Sequence, residues 1–198
     1  MKPAPSLALL ALVTCACGPQ PVELRARFSF GAQDERAAIA AAVPPGLLQQ
    51  LGGALPDPYP PGAPRLLLDA TMQKRVGVNL KVLPFKPSVV RLQGLRARIV
   101  GSLDPLPAQL EVRARLPGHD QSDDDTTQLL GRTAWLPDGT LRELVLEPGA
   151  PALLAQLVTA NFLHLLVDAR VPVDTRRDLR APLGSAIADV ELAFDLVP

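Results

Sequence analysis

The chain has 198 residues, with 20 basic and 20 acidic side chains and a pI near 6.7. That balance leaves no electrostatic footprint for nucleic acid, whose phosphates must be met by surplus Lys and Arg. Hydrophobic residues make up 47%, enough for a packed core, and 22 Pro with 14 Gly stay below the roughly 25–30% that marks disordered chains.

The first residues have the layout of a secretory signal. Lys2 gives a short positive region, "SLALLALV" (6–13) a short apolar run, and Thr14 and Ala16 small residues at a cleavage site. The run falls well short of the ~20 apolar residues of a membrane span. Both cysteines of the chain, Cys15 and Cys17, stand at the end of this segment. A cut before Cys17 leaves one cysteine and no means of making an intrachain disulfide, so the mature domain relies on its apolar core.

Period-two alternation dominates the rest of the chain, as in strands with one buried and one wet face. In "VELRARFSF" (22–30), Val22, Leu24, Ala26, Phe28 and Phe30 share one side. "RLLLDATM" (65–72) and "VGVNLKV" (76–82) read as two strands joined through "QKR". In "VVRLQGLRARIV" (89–100) the apolar phase slips at Gly94, which predicts a β-bulge. "AQLEVRARL" (108–116) alternates cleanly, and "LPDGTL" (136–141) carries an Asp-Gly hairpin signal. "LHLLVDARVPV" (163–173) and "ADVELAFDL" (188–196) alternate throughout. Helical pattern is confined to "DERAAIAAAV" (34–43), "GLLQQLGGAL" (46–55) and "PALLAQLVTAN" (151–161), the last with Asn161 as its stop. About nine strands and two or three short helices predict an all-β protein: an antiparallel β-sandwich of immunoglobulin-like or jelly-roll type. The expected organisation is a signal peptide over 1–16, an anchor and tether over 17–21, and a single domain over 22–198.

Candidate chemistry is sparse. The two histidines are His119 and His164. No Gly-x-Ser-x-Gly elbow, His-Glu-x-x-His or phosphate-cradling glycine loop occurs, so an enzyme is not expected. His164 and Asp168 lie four apart on one predicted strand, roughly 13 Å from each other, too far for a hydrogen bond. In "GHDQSDDDTT" (118–127), Asp120, Asp123 and Asp125 are candidate oxygen ligands for Ca²⁺, with Asp124 and His119 beside them. Their spacing departs from the Asp-x-Asp-x-Asp-Gly loop, so a solvated connection is the alternative. Arg25, Arg27, Arg91, Arg96, Arg98, Arg113 and Arg115 fall on the non-core sides of predicted strands. They make a basic face for acidic headgroups if the strands share a sheet, or cross-strand ion pairs with Glu23 and Glu111. With one Trp (Trp135) and one Tyr (Tyr59), a stacking groove for glycans is disfavoured.

The segment "LVTCACG" (12–18) resembles the end of a bacterial lipoprotein signal, which runs Leu-small-small-Cys. The resemblance implies that the cysteine takes a diacylglycerol group and becomes the first mature residue. Cys17, between Ala16 and Gly18, is the assigned anchor; Cys15, with Leu12 three before it, is the alternative. It further implies an acylated protein of the bacterial cell envelope, on the outer membrane, with the membrane and an envelope protein as partners. Two functions fit: a non-catalytic binding or structural module, or a carrier or sensor of a hydrophobic, lipid-like ligand. An enclosed apolar cavity would favour the carrier.

Overall fold

The computed structural model describes residues 18–50, 65–78, 80, 83, 85–104, 106–117, 126–133, 139–174 and 182–198. Among them are nine strands and three helices. The first sheet joins β1 (Gln20–Gly31), β9 (Ser185–Val197), β3 (Val89–Gly101) and β6 (Arg142–Glu143), in that order. The second joins β2 (Leu67–Gly77), β8 (His164–Asp174), β4 (Gln109–Arg115), β5 (Thr127–Arg132) and β7 (Val145–Leu146). Every pairing is antiparallel. The chain passes from sheet to sheet at nearly every connection, and the first and last strands lie side by side. This is the double-sheet jelly roll, an architecture of all-β proteins in which two Greek keys share one core.

The alternation explains why the sheets pack. Leu24, Ala26, Phe28 and Phe30 of β1 face inward, as do Ala186, Ala188, Val190, Leu192, Phe194 and Leu196 of β9. From the second sheet come Leu68, Ala70 and Met72 of β2, Leu165, Val167, Ala169, Val171 and Val173 of β8, and Leu110, Val112 and Ala114 of β4. All belong to one contiguous buried cluster. Register makes the fit: Phe28 lies opposite Ala188 and Phe30 opposite Ala186, so each large ring on the outer strand meets a small residue on the central one. Large-against-small layering is how interiors reach crystal-like density, and truncating such a Phe to Ala costs about 3–5 kcal/mol.

The phase slip in β3 is a real bulge. The register against β9 shifts between Leu92 and Gly94, and Gln93 points outward to donate to Asp195 at 2.6 Å. Other expectations need correction. "QKR" does not turn the chain; Gln73, Lys74 and Arg75 sit inside β2, which runs unbroken and pairs with β8. The strands flanking "LPDGTL", β5 and β6, lie in different sheets and do not pair with each other, so they are not the two arms of a hairpin. Its Asp138 lies outside the described residues; Gly139 has φ of +68°. Finally, β1 starts at Gln20, two residues before the apolar alternation begins.

Helices close the flanks. The first, α1 (Ala32–Ala42), starts two residues before the helical pattern at 34–43. Asp34 acts from the third helical position, accepting a hydrogen bond from the Gly31 N–H at 2.9 Å. The same carboxylate takes Lys74 of β2 at 2.6 Å, tying the helix to the second sheet. Pro45–Gln50 forms the short α2; the rest of the predicted helical segment, 51–55, lies outside the described residues. α3 (Ala150–Thr159) buries Leu154, Leu157 and Val158 beside β3 and β5. It stops where Asn161 was expected to stop it. Asn161 takes a φ of +56°, its N–H reaches the Val158 carbonyl at 3.0 Å, and the Phe162 N–H reaches Leu157 at 2.9 Å. That pair of bonds is a Schellman cap, which satisfies carbonyls a helix end leaves unbonded. No helix among the described residues is long and apolar enough to cross a membrane.

Candidate functional site

Three groups of residues stood out in the sequence: the cysteines, the acidic stretch and the outward arginines. Cys15 and Cys17 lie outside the described residues, and so do His119, Asp120, Asp123, Asp124 and Asp125. The flanks of the acidic stretch are described. The Leu116 N–H donates to the Thr126 carbonyl at 3.0 Å, so 118–125 joins the ends of two paired strands, β4 and β5. Among the described residues no three His, Cys, Asp or Glu side chains gather as a metal site.

The arginines do not make a basic face. The topology divides them, with Arg25, Arg27, Arg91, Arg96 and Arg98 on the first sheet and Arg113 and Arg115 on the second. On the first sheet, the central strand β9 supplies the acids. Asp189 takes Arg27 from β1 at 2.8 Å and Arg98 from β3 at 3.0 Å. Glu191 takes Arg25 at 3.3 Å and Arg96 at 3.5 Å from the same two strands. Antiparallel register makes this geometry, since Arg27 and Arg98 both stand opposite Asp189, and Arg25 and Arg96 both opposite Glu191. Such cross-strand opposite charges stabilise a sheet face modestly and leave little net field.

The second sheet carries a more buried version. Asp168 of β8 and Glu111 of β4 are directly opposed, with side chains only 9% and 5% exposed. Arg113 bridges them, with Nε 2.9 Å from Asp168 and a terminal nitrogen 3.3 Å from Glu111. Gln73 of β2 donates to the other Asp168 oxygen at 3.0 Å. Arg170 holds Glu111 at 2.9 Å and Asp69 at 3.3 Å. Leu166, buried yet outside the main core cluster, lies on this outer face with Arg75 and Arg113 as cross-strand neighbours. Long arginine stems cover apolar surface while their heads meet carboxylates. Sequence reasoning named Arg113 and Glu111 but missed the pairing of Glu111 with Asp168. The signal was present as two apolar-alternating strands each carrying one acid; what was missing was their register.

His164 opens β8 opposite Gly77, where a side-chain carbon would come within 3.2 Å of its ring, and its ring lies 4.6 Å from that of Phe162. Asp168 is engaged by Arg113 and Gln73 instead. Asp34 is the acid whose ionisation is clearly displaced. Burial pushes its pKa up, but the Lys74 hydrogen bond and charge, with the Gly31 N–H, outweigh burial and hold it below the usual carboxylate value. The contact joins a helix to a strand.

One depression among the described residues lies where α3 meets the start of β3. It has a volume of about 460 Å³, opens broadly to solvent, and is lined by Ser88, Val89, Val90, Ala155, Gln156, Thr159 and Ala160. None of these seven carries a charge.

No protein-family model and no curated protein matches the chain. Among solved structures, a chain from the cryo-EM structure of Mud crab tombus-like virus is similar over 100% of this chain and 89% of its own, at 13% identity and a TM-score of 0.32. A similarity that low carries no argument about fold or function.

Proposed function

We propose that the chain is a bacterial envelope lipoprotein: a non-catalytic jelly-roll module, anchored to the outer membrane through lipid on Cys17, that binds an envelope protein or serves a structural part there. The observation that carries this reading is the sequence "LVTCACG" set directly against the start of β1. Only Gly18 and Pro19 separate Cys17 from Gln20, the first strand residue. A signal-like apolar run that ends in a cysteine three residues before the first strand residue fits a tether. A single acyl chain holds a protein at a membrane only marginally, whereas two or more hold it stably.

The non-catalytic part rests on how the ionisable groups are used. On the two central strands Asp189, Glu191 and Asp168 are engaged by arginines of their neighbours, Asp195 accepts from Gln93, and His164 packs beside Phe162 and Gly77. A carrier of hydrophobic ligands calls for an enclosed apolar cavity; the depression between α3 and the start of β3 is open.

Mass spectrometry of the N-terminal peptide tests the reading, on the natural chain and on Cys15→Ser and Cys17→Ser. The expected result is a lipid-modified Cys17 as first residue, lost only in Cys17→Ser. Loss only in Cys15→Ser moves the anchor to Cys15. An unmodified, soluble product from all three refutes the tether.

A further inference from the structure

We infer that the anchored end of the jelly roll is itself a lipid-contact surface, with the uncharged depression between α3 and β3 resting in the boundary between headgroups and acyl chains. The inference rests on the lipid tether at Cys17. What it adds is the orientation of the folded domain and the residues that touch the bilayer.

The register fixes which end this is. Gln20 of β1 and Val90 of β3 both stand opposite Leu196 of the intervening β9. Two strand spacings separate them, about 10 Å. The chain therefore enters the fold beside the depression that Val89 and Val90 line. Ser88 secures this corner, its N–H reaching the Val197 carbonyl at 2.8 Å and its hydroxyl the Pro198 carbonyl at 2.7 Å.

The tether is too short to hold the domain away. From Cys17 to Gln20 is three Cα steps, at most about 11 Å. The headgroup layer of a bilayer is itself roughly 5–8 Å deep on each side. An acylated Cys17 must lie near the base of that layer, so the strand ends at Gln20, Val89 and Val197 are drawn onto it.

The chemistry of the surface suits that position. Val89 is 43% exposed, and Ala155 and Ala160 continue the apolar ground beside it. The polar members, Ser88, Gln156 and Thr159, are neutral, so the seven lining side chains themselves enter the headgroup region without desolvating a charge of their own. The sheet faces, by contrast, are laced with arginine–carboxylate pairs. Two exposed cations flank the lining of β3 in sequence: Lys86, two residues before Ser88, and Arg91, which follows Val90 and stands opposite Asp195. Among the described residues these two cations, one of them facing an acid, make no polybasic patch, so the inferred contact is apolar rather than electrostatic, with anionic lipid not required.

The test uses the full lipidated protein. With Cys15 removed and Cys17 acylated the mature chain has no free thiol, so Val89→Cys and Leu183→Cys can each carry a single NBD fluorophore. Leu183 is 61% exposed and pairs with Asp104 just past the opposite end of β9. The ten residues from Leu196 to Ala186 alone place that end roughly 34 Å away. Each labelled protein is reconstituted into phosphatidylethanolamine–phosphatidylglycerol vesicles containing nitroxide-labelled lipid. The expected result is at least threefold stronger quenching at position 89 than at 183, with blue-shifted emission. It should be unchanged by 0.5 M NaCl or by omission of phosphatidylglycerol. Equal or absent quenching at both positions, with lipid confirmed on the N-terminal peptide, overturns the docking surface and leaves the tether standing. Quenching at 89 that vanishes in salt overturns the apolar contact in favour of a headgroup-charge one. An N-terminal peptide without lipid removes the tether, and the docking surface with it.

Discussion

Replacing Arg113 with Met measures how much the buried ladder on the second sheet contributes. The guanidinium lies between two carboxylates that the register sets face to face, Asp168 and Glu111, each less than a tenth exposed. Met keeps much of the aliphatic stem and removes the charge. Two things are then lost. One is a charge-assisted hydrogen bond to Asp168, worth about 1.5–3 kcal/mol. The other is the screening of two like charges, whose gross repulsion is roughly 3 kcal/mol at the ~5.5 Å spacing general to opposed strand residues with an effective dielectric near 20. Arg170 still neutralises Glu111 and Gln73 still donates to Asp168, so the repulsion is only partly felt. Arg113 itself is 32% exposed, and solvent screens its share of the pair. The net expectation is a loss of about 2–4 kcal/mol. Urea denaturation of the purified protein reads it directly, and the thermal midpoint should fall by roughly 5–12 °C. Glu111→Gln added to Arg113→Met removes the repulsion and should recover about half of the loss, a coupling that independent sites do not show. Arg25→Met on the first sheet is the comparison. Arg25 is 66% exposed and Glu191 keeps Arg96, so the loss should stay under about 1 kcal/mol. An Arg113→Met loss no larger than that of Arg25→Met, or a further loss on adding Glu111→Gln, refutes the buried-ladder argument.

Three further outcomes are expected. Gly184→Ala should cost roughly 3 kcal/mol or more, because φ is +85° and the new carbon would sit 2.2 Å from the Ser102 carbonyl oxygen; Gly149→Ala, with φ of +87° and open space around it, should cost only about 1–2 kcal/mol, and equal midpoints in urea would refute the contact. Asp34→Asn should lower stability slightly near neutral pH, by about 0.5 kcal/mol given its exposure, since the folded pKa lies below the unfolded one. Its contribution is fully present above the unfolded pKa and lost as pH falls through the folded value, so the urea midpoints of the two proteins should begin to converge below about pH 4 and meet once pH has passed the folded value; a gap that does not shrink as pH falls refutes the ionic reading. Millimolar Ca²⁺ should move the thermal midpoint by less than about 1 °C; an upward shift that Asp123→Ala abolishes would establish a metal site in 118–125.

The fold was legible because alternation encodes it. The inward positions of β8, and those of β9 from Ala188 onward, could be read from period two alone, and so could the bulge, since a slip of one residue changes the face of everything after it. The stop of α3 was legible for a similar reason: Asn tolerates the left-handed conformation that a Schellman cap needs. Sheet membership was not legible. "QKR" resembles a connection because three polar residues interrupt an apolar run, but Lys74 reaches Asp34 of α1, a partner 40 residues away. The Asp-Gly signal is equally local: it says that the chain turns and not which sheet receives it.

The same limit explains the arginines. Read one strand at a time, seven outward arginines suggest a basic surface. The topology sets β9 between β1 and β3, and β8 between β2 and β4, so the acids Asp189, Glu191 and Asp168 fall among cations that come from strands far away in sequence. Each charge is local information, while its neutralisation depends on register across the sheet. The consequence for function runs in one direction. Where the ladders stand, the sheet faces offer paired charge and little net field, so a partner gains little by electrostatics there. The uncharged ground beside Val89 lies at the end where Gln20 enters the fold, two residues after Gly18. A surface of that kind is best employed where water is already scarce, and a lipid on Cys17 would bring it there.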